Sequence, residues 1–185
     1  MNQIGTINLE TDRLILRKFK IEDAEDMYNN WASDKKVHEY LTYEPHSNVE
    51  KTKEIIKSWI ENYNSNCYRW AIVLKENNQV IGSIKAAKID NDIEMVNIGY
   101  YISRKYWNKG ITSEAFQRII KFFFEEVKLN RIEATHNEKN IYSGKVMLKC
   151  DLKKEGVLRD GVKDNSGIAN CLIYSILRRE YFEKQ

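Results

Sequence analysis

A short basic segment next to a glycine contains the residues best suited to chemistry. Arg104, Lys105 and Lys109 place three cations within six residues, and Gly110 follows them directly. An apolar repeat with a helical period begins at Ile111, which predicts a helix whose first turn follows this glycine. Backbone N–H groups at a helix N-terminus lack partners in the helix and attract phosphate. The segment suits either a phosphate-rich ligand or a turn glycine followed by helix capping, and its local chemistry favours neither.

A resemblance separates these two interpretations. The stretch Tyr106-Trp-Asn-Lys-Gly-Ile-Thr-Ser-Glu114 resembles the acetyl-coenzyme-A-binding loop of the GNAT superfamily of N-acetyltransferases. It is most similar to the branch of ribosomal-protein N-terminal (alanine/serine) acetyltransferases. Other stretches resemble the same branch, in the family's order: Thr11–Arg17, Ile98–Ile102, Leu129–Ala134, Asn140–Ser143 and Lys154–Asp160. Together they cover roughly residues 9–180, which makes the resemblance far more specific than the loop alone.

The resemblance implies an enzyme that transfers acetyl from acetyl-coenzyme A (acetyl-CoA) to a primary amine. The implied acceptor is the N-terminal α-amine of a protein or peptide, which attacks the thioester directly in a ternary complex. The implied fold class is α+β (mixed α/β), the GNAT fold: a mostly antiparallel twisted sheet of six to seven strands with a central splay, flanked by about four helices. The expected partners are acetyl-CoA and the amine, without metal, nucleic acid or membrane, and the expected state is a monomer or homodimer.

The residues implied to bind the cofactor lie mainly in the basic loop and at the end of the strand before it. They are Tyr101, Ile102, Trp107, Asn108, Lys109, Gly110, Ile111, Thr112, Ser113, Asn140 and Ser143. Trp107, Asn108 and Thr112 differ from the residues usual in the family. Their side chains either crowd a pyrophosphate or, for Asn108 and Thr112, donate hydrogen bonds to it. Helix capping alone explains Asn140 equally well.

Two residues are expected to be catalytic. Ser143 is expected to protonate the leaving thiolate, with Tyr142 or water as the alternatives, because Met147 stands where many GNAT enzymes have a tyrosine acid. Glu94 shares strand parity with Tyr100 and Ile102, so it either faces the same cleft as a general base or is an exposed hairpin residue. The three histidines have no ligand-like spacing, which predicts that the chain has no metal site.

Hydrophobic patterning predicts elements in the order β-α-α-β-β-β-α-β-α-β-β. Helices are predicted over residues 21–31, 49–63, 111–127 and 140–149. Strands are predicted over 13–19, 68–75, 79–89, 93–103 and 129–135, and at 157–158 and 171–177 around a hairpin at 160–167. No repeat or linker interrupts the pattern, so residues 1–185 are predicted to form one domain.

Composition argues against several classes of protein. The 30 basic and 27 acidic residues give a net charge of +3 and are interspersed, unlike the basic stripe of a nucleic-acid-binding protein. No apolar run approaches the roughly 18 residues of a membrane span, and no signal-peptide pattern opens the sequence. Three widely spaced cysteines suit a reducing compartment, so the expected location is the cytoplasm.

Two other functions stay open at this point. The acceptor is alternatively a small amine such as a polyamine or an aminoglycoside, and a less favoured alternative is a non-catalytic CoA-binding module. At pH 7, deprotonating an α-amine with a pKa near 8 costs about 1.4 kcal/mol, against about 4.6 kcal/mol for a lysine with a pKa near 10.4. A chain without an evident carboxylate base therefore favours the α-amine.

Overall fold

One mixed sheet of eight strands organises the computed structural model, which describes residues 2–64 and 67–184, excluding the Asn64 side chain. The strands are β1 (Leu9–Glu10), β2 (Leu14–Arg17), β3 (Arg69–Leu74), β4 (Val80–Asp90), β5 (Met95–Ile102), β6 (Arg131–Asn137), β7 (Lys153–Asp164) and β8 (Gly167–Leu177). Their order is β1-β2-β3-β4-β5-β6-β8-β7, and only the β5–β6 pair is parallel. The predicted α+β fold class is confirmed. The sheet has one strand more than the expected six to seven, because β1 is too short to show a sequence pattern.

Six α-helices pack around this sheet within the described ranges. They are α1 (Ala24–Met27), α2 (Lys35–His38), α3 (Val49–Glu61), α4 (Ile111–Phe122), α5 (Ile141–Lys149) and α6 (Arg178–Phe182). Single turns extend α1 on both sides, so helical backbone runs from Ile21 to Ala32, close to the prediction. The sequence does not predict α2 and α6, because each is too short to show a helical period. None of the described helices is long and apolar enough to cross a membrane.

Strand β3 is covered on both faces, which explains its unbroken apolar sequence. Trp70 and Ile72 belong to the core beneath α4, where Trp70 packs on Phe122 with ring centroids 5.6 Å apart. Ala71 and Val73 belong to the core on the other face, beneath α1 and α3. Strands covered on both faces lose the alternation of apolar and polar residues. The sheet is thus held between two layers of helices.

The sheet splays open between β5 and β6. The two strands are paired only where Met95–Asn97 lies beside Arg131–Glu133. Beyond Asn97, β5 continues alone on that side, while β6 continues its pairing with β8. The predicted central splay is confirmed, although it begins earlier along β5 than Ile102. The backbone edge of residues 98–102 therefore faces the gap instead of a neighbouring strand.

Candidate active site

A cavity of about 280 Å³ lies where the open edge of β5 meets the starts of α4 and α5. The predicted cofactor residues that line it are Tyr101, Ile102, Trp107, Asn108, Gly110, Ile111, Thr112, Ser113, Asn140 and Ser143. Lys109 does not line it, although its ammonium group lies 5.4 Å from the centre of the ring of Tyr106, which does. The charged lining residues that the sequence analysis missed are Lys36, Glu39, Lys139, Lys145 and Lys149. Four lysines against one carboxylate suit an anionic ligand. Of these residues, only Lys145 and Lys149 carry a sequence signal, which is the four-residue spacing that places two side chains on one face of a helix.

The loop before α4 adopts left-handed backbone at two positions. Asn108 has a φ of +60°, and Gly110, the N-cap residue of α4, has a φ of +73°. A Cβ at Gly110 would approach only the Arg13 guanidinium, at 3.7 Å, so the chain itself leaves room for one. Glycine is favoured here by its backbone conformation, which costs other residues about 1–2 kcal/mol.

The first turn of α4 presents free donors to the cavity. The first hydrogen bond of the helix runs from the Glu114 N–H to the Gly110 carbonyl, at 3.0 Å. The N–H groups of Ile111, Thr112 and Ser113 therefore have no acceptor in the helix. No side chain of the described residues caps it. Of the two interpretations left open by the local sequence, this geometry favours the phosphate site over capping.

Glu114 fixes the loop to the first pair of strands. Its carboxylate accepts hydrogen bonds from Thr11 Oγ1 at 2.5 Å, the Arg13 N–H at 3.1 Å and Arg13 Nε at 2.7 Å. Arg13 also donates to the Lys109 carbonyl at 3.1 Å, so it holds the loop at two points. Burial would raise the pKa of Glu114, but the bonds from Thr11 and Arg13 outweigh burial and hold the pKa below its usual value. The carboxylate is therefore ionised at neutral pH.

We expect Glu114→Gln to weaken CoA binding about tenfold. The substitution removes the charge that holds Arg13, and tenfold in affinity corresponds to about 1.4 kcal/mol of lost charge-assisted bonding. Calorimetric titration with CoA measures the change. Glu126→Gln is the matched control, because Glu126 pairs with Arg118 at 3.6 Å, at the opposite end of the same helical segment. If both variants keep the wild-type affinity, Glu114 does not position the loop.

Ser143 lies on the cavity wall beside Tyr100, a partly buried tyrosine to which the sequence analysis gave no role. The Tyr100 hydroxyl lies 2.9 Å from the Ser143 carbonyl, to which it donates, and 3.0 Å from Ser143 Oγ. Burial raises the pKa of Tyr100 well above its usual value, so this hydroxyl stays protonated at neutral pH. The Asn140 side chain caps α5 by accepting from the Ser143 N–H at 3.4 Å. Met147 is buried in the core and does not line the cavity.

Glu94 does not lie at this cavity. It lies in the turn that precedes β5, with a φ of +50°, whereas the cavity lies at the opposite end of the strand. At about 3.3 Å per residue, Glu94 and Tyr101 are about 23 Å apart along the strand. Strand parity assigns residues of a strand to a face of the sheet, but it does not fix a position along the strand. The expectation that Glu94 is a general base in the same cleft is therefore corrected: it is a hairpin residue.

A second cavity, of about 490 Å³, lies on the sheet face covered by α1 and α3. Tyr101 lines both cavities, and residues of the segment 36–44 contribute to one or the other. The charged and histidine residues that line the second cavity are His38, Glu44, His46, Lys51, Arg69 and Lys85. Within residues 2–64 and 67–184, no cluster of three or more His, Cys, Asp or Glu side chains is arranged to hold a metal ion. The two cavities thus share a wall at the end of β5.

A cavity between an open strand edge and a helix N-terminus without a side-chain cap suits an extended anionic ligand. A family model described as an acetyltransferase (GNAT) domain matches residues 13–153. The uncharacterized N-acetyltransferase p20 of Bacillus licheniformis is 35% identical over 174 residues, which cover 94% of this chain and 97% of that protein. YdaF of Bacillus subtilis, provisionally named a ribosomal N-acetyltransferase, is 32% identical over 54% of this chain and 55% of its own.

A solved structure agrees with these sequence matches. The GNAT-family acetyltransferase of Bacillus anthracis superposes with a TM-score of 0.83 at 29% identity, over 94% of this chain and 100% of that one. The chain belongs to the GNAT family of N-acetyltransferases. It is an enzyme that uses acetyl-CoA as the acetyl donor and an amine as the acceptor. The residues described here fit that donor, because free N–H groups, lysines and an open strand edge line one cavity.

Proposed function

We propose that the enzyme acetylates the N-terminal α-amine of a protein or peptide, by direct attack of the amine on the thioester in a ternary complex. The observation that carries this proposal is the shared wall formed by Tyr101 and the segment 36–44. Because the two cavities meet at that wall, donor and acceptor can be bound together. A ternary complex needs such an arrangement.

The first cavity is assigned to the donor, for which acetyl-CoA supplies the activated acetyl thioester. The free N–H groups of Ile111, Thr112 and Ser113 would bind its pyrophosphate. The backbone edge of residues 98–102 would pair with the pantetheine, as expected for an unpaired strand edge. Ser143 would lie near the sulfur, where its hydroxyl is held by Tyr100. The remaining predicted cofactor residues stay proposals with the same role.

The acceptor class follows from the charges around the shared wall. Among the described residues, the carboxylates that line the two cavities are Glu39 and Glu44. Glu39 is in an ion pair with Lys36, and Glu44 is exposed. Without a buried carboxylate base, an acceptor that loses its proton at low cost is favoured, and an α-amine costs about 3 kcal/mol less to deprotonate than a lysine. Arg69 and Lys85 in the second cavity disfavour polyamines and aminoglycosides, because these acceptors are polycations.

An acceptor panel tests the proposal. We expect peptides with a free α-amine to be acetylated with a kcat/KM at least tenfold above that of matched peptides whose only amine is a lysine side chain. Spermidine and an aminoglycoside should react more slowly still, because Arg69 and Lys85 repel them. Mass spectrometry of the product identifies the acetylated nitrogen. A preference for the polycations would contradict the proposal, and CoA binding without turnover on any amine would favour the non-catalytic module.

Three further features of the enzyme stay proposals. We take residues 1–185 to form one catalytic domain that works in the cytoplasm as a monomer or homodimer. The cytoplasmic assignment is supported by the cysteines, since Cys67, Cys150 and Cys171 are all free thiols and free thiols suit a reducing compartment.

A further inference from the structure

Two cations face each other in the wall of the second cavity. Arg69 of β3 and Lys85 of β4 are direct partners across the two strands, and both line the cavity. Side chains of such partners lie on one face with Cβ atoms about 5 Å apart, and like charges in this position destabilise a sheet. Among the described residues, neither cation forms an ion pair. Two like charges are thus held together without an ion-pair partner in the part of the chain that the structure describes.

Two of the hydrogen-bond donors of Arg69 are left without a partner by the described residues around them. The guanidinium stacks on the Trp59 ring, with its central carbon 4.0 Å from the ring centroid. Its Nε and Nη1 atoms are buried without a hydrogen-bond partner among the described residues. Burial and the charge of Arg69 lower the pKa of Lys85 to about 8. Buried charged donors normally have hydrogen-bond partners. Holding Arg69 and Lys85 together without such partners therefore lowers the stability of the fold.

The other charged groups of the cavity do not compensate this pair. Lys51 adds a third cation and is engaged by Glu54 at 3.1 Å. Glu44 is exposed at the surface. His46 is held by Thr52 at 2.9 Å, and burial lowers its pKa, which keeps the ring neutral at pH 7. The net charge around Arg69 and Lys85 is therefore positive.

We propose that Arg69 and Lys85 bind an anionic group, a carboxylate or a phosphate, on the amine acceptor. The inference rests on the proposed function, in which the second cavity holds the acceptor. The unpartnered Nε and Nη1 atoms of Arg69 lie on different edges of the planar guanidinium. On either edge, one of them together with Nη2 suits two oxygens of such an anion. Stacking on Trp59 fixes the orientation of that plane. Lys85 adds a second charge from the neighbouring strand.

The spacing along the sheet limits where this anion lies in the acceptor. Ser83 is paired with Tyr101, and Lys85 lies two residues further along β4 on the same face. With about 3.3 Å per residue and about 4.8 Å between strands, the Cα atoms of Lys85 and Tyr101 are about 8 Å apart. If the amine reacts beside Tyr101, the anionic group of the same acceptor must therefore lie within about one side-chain length, or about two residues, of that amine. Peptides with an acidic or phosphorylated residue at position 2, and free amino acids, meet this condition.

Pairs of acceptors that differ by one anionic group test the proposal. The pairs are peptides with Glu or Gln at position 2, peptides with phosphoserine or serine at position 2, and a free amino acid or its amide. In the wild-type enzyme we expect kcat/KM to be at least tenfold higher for the anionic member of at least one pair. The pair with the largest ratio identifies the source of the anion. A ratio near one in all pairs would overturn the inference.

Variants connect this preference to the two residues. Lys85→Met and Arg69→Gln should each lower kcat/KM at least tenfold more for the anionic member than for the neutral one. Lys53→Gln is the control for net charge, because Lys53 lies on α3 beside Glu50 and outside the cavity. For this variant, the ratio of kcat/KM between the anionic and the neutral acceptor should equal that of wild type. Lys85→Met keeps the packing and removes a repulsion, so its Tm should equal or exceed that of wild type. A lower Tm with an unchanged ratio would assign the pair a structural role and overturn the inference.

The outcomes separate this inference from the proposed function. If peptides are acetylated without a charge preference, the proposed function holds and the anion site fails. If only the free amino acid is acetylated, the peptide acceptor fails and the anion site holds. If no acceptor reacts, calorimetric titration of the CoA-saturated protein with inorganic phosphate decides. Binding that weakens at least tenfold in Lys85→Met supports the anion site, and absent or unchanged binding rejects it.

Discussion

Replacing Gly110 with proline should abolish CoA binding, with an increase in Kd of at least 100-fold. Proline fixes φ near −65°, whereas Gly110 has a φ of +73° and serves as the N-cap of α4. The loop must therefore rearrange at the residue that directs the N–H groups of Ile111, Thr112 and Ser113 into the cavity. Three donors aimed at one phosphate group lose their alignment together. Calorimetry with CoA measures the loss, and circular dichroism confirms that the variant is folded.

A second glycine gives this experiment its control. Gly5 has a φ of +70°, close to that of Gly110, and no atom lies within 4 Å of the position of its Cβ. Gly5→Pro therefore imposes the same conflict of backbone conformation away from the cavity, and its CoA affinity should match that of wild type. Gly110→Ala should have an intermediate effect, since alanine pays about 1–2 kcal/mol for the left-handed conformation without excluding it. Wild-type affinity in Gly110→Pro would contradict the assignment of the loop.

Ser143→Ala should lower kcat by about 10- to 100-fold and change CoA affinity much less. A positioned proton donor contributes about 10²–10⁴-fold, and a thiol with a pKa near 8.5 is already a fair leaving group, so the low end is expected. Tyr100 lies within hydrogen-bond distance of both the carbonyl and the hydroxyl oxygen of Ser143. Because Tyr100 donates its proton to the Ser143 carbonyl, its oxygen can accept from the Ser143 hydroxyl and hold it at the cavity wall, from where we expect the serine to donate to the thiolate sulfur. Steady-state kinetics and calorimetry separate the two effects.

Three variants separate catalysis from folding at this position. Tyr100→Phe removes the group that orients Ser143, so it should lower kcat in the same direction but less. Asn140→Ala removes the cap of α5 and should act on stability, at a cost of about 1 kcal/mol, with kcat nearly unchanged. Tyr142 is half exposed, beside the Lys145 ammonium, and Tyr142→Phe should be neutral. If Ser143→Ala keeps full turnover while Tyr142→Phe loses it, Tyr142 is the proton donor.

The sequence predicts those parts of the fold and site that depend on local patterns. Most strands, the longer helices and the start of α4 at Ile111 follow from apolar periodicity, because a buried face imposes its spacing on the residues of one element. The basic loop is also predicted, since its residues are neighbours in the chain. Elements of two to five residues, such as β1, α2 and α6, escape prediction because they span too few residues to show a period.

The tertiary structure alone decides which distant residues meet. Glu94 has the right strand parity for the cleft but lies at the wrong end of β5, because alternation assigns a face and not a position. Tyr100 meets Ser143 across 43 residues of sequence. The Arg69–Lys85 pair depends on the register of β3 against β4, which shifts at an irregularity between Ile72 and Val73. Register and splay result from the packing of the whole sheet between its helices, and no local stretch of residues contains that information.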